Sequence, residues 1–228
     1  MNLSENEKES GGIYYEDKIL KLSQVERLVV QVLRSVAIIF SLIASFVLIL
    51  SDLFILRVVG VMFFAYLAFE LGRLVYLAND DRRFKGGNLA TYIKPRARGV
   101  IISAYNRSTT LTGSIYIHIL KELAEREFIQ KILKDLGVRP GEFMSRVEKH
   151  LSEEKGLRET GSWKRARINE LVRGAFILQQ PDKHPVGEVD LFRALINIDS
   201  ERVQRIVGLF EISRDELDSV LRSYRLIK

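Results

Sequence analysis

Ser35 to Leu50 reads SVAIIFSLIASFVLIL, a run without one charged side chain. With Val29 to Leu33 added it approaches the roughly 20 apolar residues that cross a hydrocarbon core. Arg34 interrupts it near one end, where a long cationic side chain can reach the headgroups at modest cost. Ser51 and Asp52 form a polar turn, and Leu53 to Leu77 follows as a second apolar run with Arg57 near its start and Glu70 and Arg73 near its end. Glu70 and Arg73 stand three apart, a spacing that lets them pair on one helix face. Residues 29–78 are therefore expected to form a transmembrane helical hairpin. A buried hairpin of a soluble protein is the alternative, but it would need a large partner core to cover two such helices.

Toward the N-terminus the chain is polar from Met1 to Gly12, with too little apolar surface to offset the entropy of ordering. Ile19, Leu20, Leu22, Val25 and Leu28 then recur among charges, so residues 1–28 read as a tail and an amphipathic helix on the membrane surface or on a domain. Glu5, Glu7, Glu9, Glu16 and Asp17 precede any apolar run, unlike the basic start of a secretory signal peptide, so the first apolar segment is expected to be retained.

Beyond the hairpin, residues 79–93 read as a linker, with NDDRRFKGGN from Asn79 to Asn88. Arg82, Arg83, Lys85, Lys94, Arg96 and Arg98 gather here, whereas the short turn carries Asp52 and Arg57. That bias predicts a cell-membrane protein with two spans and both termini cytoplasmic. The net charge of +6 and a pI near 9.5 raise the question of nucleic acid. Because the basic residues bunch beside the apolar region, attraction to anionic lipid already accounts for them, and no nucleic-acid partner is expected. The chain has no cysteine, which excludes disulfides, thiolate nucleophiles and cysteine-based zinc sites.

Residues 94–228 have the pattern of soluble helices, and the pattern occurs twice, over residues 94–151 and 163–226. Val100, Ile101, Ala104 and Tyr105 make a helical stripe matched by Leu171, Val172, Ala175 and Phe176. Leu111-Thr112 precedes a helix with Ile115, Tyr116, Ile119, Leu120 and Leu123, and Val186-Gly187 precedes one with Val189, Leu191, Phe192, Leu195 and Ile196. Phe128, Ile129, Ile132, Leu133 and Leu136 parallel Val203, Ile206, Val207 and Phe210. LGVRPGEFMSRV (Leu136 to Val147) lies opposite FEISRDELDSVL (Phe210 to Leu221), each an apolar pair, a turn and a last helix burying Phe143 and Val147 or Leu217 and Leu221. Ser213 with Glu216 has the form of a capping box, and Pro140 suits a first helical turn. Ser152 to Ser162, charged and holding Gly156 and Gly161, reads as the connector, with Glu153 and Glu154 in solvent. The expected fold is all-α: a two-helix transmembrane hairpin, then a compact helical domain of two pseudo-repeated four-helix motifs.

Ala175-Phe176, HPVGEVDLFRAL (His184 to Leu195), the turn at Ile212 and Glu216-Leu217 resemble the N-terminal domain of Clp-type AAA+ unfoldases, which is two four-helix repeats in tandem. The resemblance covers about Lys94 to Tyr224. It departs where that family often carries a histidine, since Asp190 and Ile115 stand there. It implies a domain that captures unfolded or tagged proteins and adaptors for an ATPase ring, in cis or in trans. No GxxxxGK[ST] occurs, so no P-loop is present in this chain. His118, His150 and His184 have no metal-ligand spacing, and His118 is expected on a helix surface. No serine lies in GxSxG. No catalytic, cofactor or metal residue is therefore expected.

The function that the resemblance implies, and that is expected here, is a membrane-anchored recognition module of a Clp-type unfoldase or protease system, with the bilayer, unfolded or tagged proteins and adaptors as partners. The alternative is a membrane-tethered scaffold for one folded partner. The candidate protein-binding groove between the two motifs takes in Tyr105, Tyr116, Phe176, Phe192 and Trp163. Trp163 either anchors a partner there or seals the junction by packing.

Overall fold

The computed structural model describes residues 12–79, 86–154, 156, 158–179 and 184–226. The chain is all-α, and it divides into two compact units, Lys21–Asp80 on one side and Met1–Leu20 with Asp81–Lys228 on the other. The helices in chain order are α1 (Lys18–Lys21), α2 (Gln24–Ile49), α3 (Phe54–Asn79), α4 (Pro95–Thr110), α5 (Ile115–Ala124), α6 (Glu127–Asp135), α7 (Pro140–Glu153), α8 (Gly161–Gln179), α9 (Glu188–Asn197), α10 (Glu201–Val207) and α11 (Arg214–Leu226).

The first unit is α2 packed on α3. Ser23 starts α2 through a reciprocal capping box: its hydroxyl accepts from the Glu26 amide at 3.2 Å, and the Glu26 carboxylate accepts from the Ser23 amide at 2.7 Å. That cap divides what the apolar spacing presents as one amphipathic helix over residues 13–28. The turn between α2 and α3 is held by Arg57, whose Nη2 donates to the Ser51 carbonyl at 3.1 Å. Gly60 lets the two helices approach closely, since a Cβ there would lie 2.7 Å from the Ile49 amide nitrogen. Phe46 and Phe64 meet edge to face with centroids 6.1 Å apart.

Outside that seam the helices present apolar side chains, with Phe40 72% exposed and Phe54 76%. Such a surface is not stable against water at this extent. Val25–Ile49, with mean hydropathy 2.5, is long and apolar enough to cross a membrane. The apolar stretch of α3 among the described side chains is shorter, Phe54–Phe69. Glu70 and Arg73 lie on α3 but their side chains, and with them the expected pair, fall outside what is described, as do the residues Arg82, Arg83 and Lys85.

The second unit is built around α5 and α9, which bury most of their residues, polar His118, Glu122 and Asp190 among them. The remaining helices cover them with one face each: α4 through Val100, Ile101 and Ala104, α7 through Phe143 and Val147, α8 through Leu171, Val172 and Ala175, and α11 through Leu217 and Leu221. Side chains from the two halves share one core. Phe143 packs on Phe210 at 5.3 Å between centroids, Phe128 on Tyr224 at 5.0 Å, and Arg126 pairs with Glu188 at 3.5 Å.

Residues before the first unit join this core. Tyr14 forms a parallel bridge with Asn88: its amide donates to the Gly87 carbonyl at 3.1 Å, and its own carbonyl accepts from the Leu89 amide at 2.7 Å. The Asn88 side chain completes the join, accepting from the Glu16 amide at 2.9 Å and donating to the Glu16 carbonyl at 2.8 Å. Asp17 receives both Nε and Nη2 of Arg98, at 2.5 and 2.9 Å, and Tyr15 and Leu20 are buried. Burial opposes the charge on Asp17, but the Arg98 hydrogen bonds and the Ile19 amide outweigh it and hold the carboxyl below its usual range. The expected linker over residues 79–93 is likewise structural in its second half. Leu89, Tyr92 and Ile93 are buried, and Ile93 bridges Val186.

Candidate protein-binding groove

Trp163, Arg167 and Glu170 recur at helical spacing along α8 and so share a face. That face, with Tyr116 of α5, Asp199, Ser200 and the start of α10 at Glu201 and Arg202, lines an open groove of about 390 Å³. Trp163 is 54% exposed in it.

The Arg167 guanidinium lies between two rings, 5.1 Å from the Tyr116 centroid and 5.2 Å from that of Trp163. Its Nη1 donates to Glu159 at 2.9 Å and to the Ser114 hydroxyl at 3.0 Å. Tyr116 donates its hydroxyl to Glu170 at 2.7 Å. Burial, reinforced by that hydrogen bond to a carboxylate, pushes the Tyr116 phenol well above its ordinary pKa, so it remains a donor.

Arg167 and Arg202 of the lining connect the groove to the start of α5. Ser114 occupies the N-cap of α5, but its hydroxyl accepts from Arg167, and the first amides are taken by two carboxylates from the connector. Glu154 accepts from the Ser114 amide at 2.8 Å and Glu159 from the Ile115 amide at 3.0 Å. Negative groups belong there because the first amides of a helix lack internal partners and carry the positive end of its dipole. Arg202 closes the network against Glu154 at 3.2 Å and Glu159 at 3.8 Å. Glu154 is therefore not the solvated connector residue that its polar surroundings imply. Glu159→Ala is expected to cost about 2–3 kcal/mol, because it leaves the Ile115 amide and Arg167 without their shared acceptor. Urea denaturation of the variant checks this, and an unchanged midpoint would show that the cap contributes nothing.

Of the expected groove residues, the structure brings Tyr116 and Trp163 together. Tyr105 is buried on α4, its hydroxyl 3.5 Å from Arg165. Phe176 is buried edge-on to Tyr92 at 5.8 Å, and Phe192 is 0% exposed in the middle of α9. These three face inward because they belong to the apolar stripes that build the core. His118 also differs from its expected surface position. It is 1% exposed, with Nε2 3.1 Å from the Thr112 carbonyl, and burial lowers its pKa.

No family model, curated protein or solved structure matches this chain. What the groove can do is therefore read from its chemistry. Arg167, Glu170, Asp199 and Arg202 were missed as its components, as were Glu154 and Glu159 that hold its arginines. Only the spacing of Trp163, Arg167 and Glu170 on α8 could have marked them, since the others converge from a connector and a turn. Asp190, which stands where the resembling family often has histidine, caps α9: its carboxylate accepts from the Gly187 amide at 2.8 Å and from Gln179 Nε2 at 2.5 Å. This position thus does structural work in the chain.

Proposed function

We propose that the protein is a membrane-anchored recognition module of a Clp-type unfoldase or protease system, which binds unfolded or tagged proteins or their adaptors in the Trp163 groove. In this reading α2 and α3 are two spans, both termini are cytoplasmic, and an ATPase ring acts in cis or in trans. The observation that carries the reading is the half-exposed tryptophan held over a preformed groove, its partner ring and the cation between them already fixed. Exposed, rigidly backed tryptophans are the side chains from which binding hot spots are made.

The two-motif architecture is supported by the order of helices. Those of α4 to α7 have 16, 10, 9 and 14 residues, and those of α8 to α11 have 19, 10, 7 and 13. In each series the second helix is the buried one. Binding to one specific folded partner is the second reading, favoured by the small volume and charged lip of the groove.

The test uses the full chain in detergent micelles and follows the anisotropy of a labelled, permanently unfolded protein and of its folded form. Preference for the unfolded form, weakened at least tenfold by Trp163→Ala, is the expected result. Equal affinity of the variant would remove the groove from the reading. Binding of neither form would favour the single-partner scaffold.

A further inference from the structure

The groove's charges are unevenly committed. Arg167 is held by Glu159 and Ser114, and Arg202 by Glu154 and Glu159, so both cations of the lining are spent within the domain. The lip keeps three carboxylates. Asp199 is exposed and has no ion pair among the described residues; Glu170 is exposed and accepts from a neutral phenol; and Glu201 pairs with the exposed Arg205 across one helical turn. Trp163 adds an aromatic surface beside them.

From this arrangement we propose that the groove receives a cationic side chain, arginine or lysine, from the bound protein segment. The inference rests on the reading of this groove as a protein-binding site and specifies its ligand. An aliphatic side chain seated here would take Asp199, and the charge that Glu170 shares only with a neutral phenol, out of water without a cation, which is unfavourable. An anion would meet the same two carboxylates while the nearby guanidiniums are already occupied. A cation gains on both counts: its stem or guanidinium plane covers the indole, and its charge meets the lip.

Two unstructured peptides that differ only in one central residue, arginine or its neutral isostere citrulline, provide the probe, titrated against the full chain in micelles. The arginine peptide is expected to bind about tenfold more tightly, with a difference that shrinks as salt is raised. Asp199→Asn is expected to narrow that difference at least threefold. Equal affinity of the two peptides overturns the cationic preference and leaves the binding site standing. Binding of the unfolded protein with no binding of either peptide also overturns it. Failure of both peptides and of the unfolded protein overturns the site itself.

Discussion

Phe192→Asp is expected to abolish cooperative folding of the helical domain. Phe192 is fully buried in α9 between Leu191 and Leu195, themselves buried, with Ile196 on the same helix. Truncating such a ring to alanine costs about 3–5 kcal/mol. A carboxylate in its place adds the cost of an unpaired buried charge, and the sum approaches the whole stability of a typical domain, about 5–15 kcal/mol. Thermal unfolding followed by circular dichroism should lose its sigmoidal transition, whereas Phe192→Leu should retain it at a lower temperature. A transition like that of the parent in Phe192→Asp would mean that α9 is not at the centre of the fold. The contrast with Trp163 matters for any binding experiment: a charge at Trp163 tests the groove, but a charge at Phe192 tests only whether the domain exists.

Removing residues 12–20 is expected to have the second largest effect. A fragment beginning at Asn88 lacks the strand partner of Asn88, the buried Tyr15 and Leu20, and the carboxylate that neutralises Arg98. Losing two large buried side chains and one half-buried ion pair amounts to about 5 kcal/mol. A fusion that joins residues 12–20 to residue 86 through a short flexible linker, omitting α2 and α3, should recover that stability, as judged by the urea midpoint. Equal midpoints for the fragment and the fusion would show that the N-terminal segment is not part of the domain. The ion pair also sets an acid limit. Because the Asp17 carboxyl titrates lower in the folded chain than when unfolded, its contribution is complete at neutral pH and disappears as pH falls through that lowered value. In Asp17→Asn this part of the acid dependence should be absent.

Helix positions were legible in the sequence because apolar periodicity and helix-start chemistry agree. The stripe Val100, Ile101, Ala104 and Tyr105 is the buried face of α4, and Pro140 begins α7. The Ser213–Glu216 cap is half realised, the Glu216 amide donating to the Ser213 hydroxyl at 3.1 Å. The groove was less legible. Aromatic residues at core periodicity were expected to line it, but periodicity marks what is buried, and Phe176 and Phe192 are buried for that reason. Glu154 and Glu159 were invisible as caps because the amides they hold, on Ser114 and Ile115, lie 40 and 44 positions away in the chain.

What the sequence by itself determined is local: an all-α chain, an apolar first region with one helix able to cross a membrane, and the faces that its soluble helices bury. Those properties follow from spacing within a few turns, where each residue's neighbours are known in advance. Only the tertiary structure decided that residues 12–20 complete the second unit, that α5 and α9 lie at its centre, and that Trp163 borders a groove whose arginines are held by two capping carboxylates. Each of these depends on groups distant in the chain whose unpaired amides, charges or apolar faces find one another only when the helices pack.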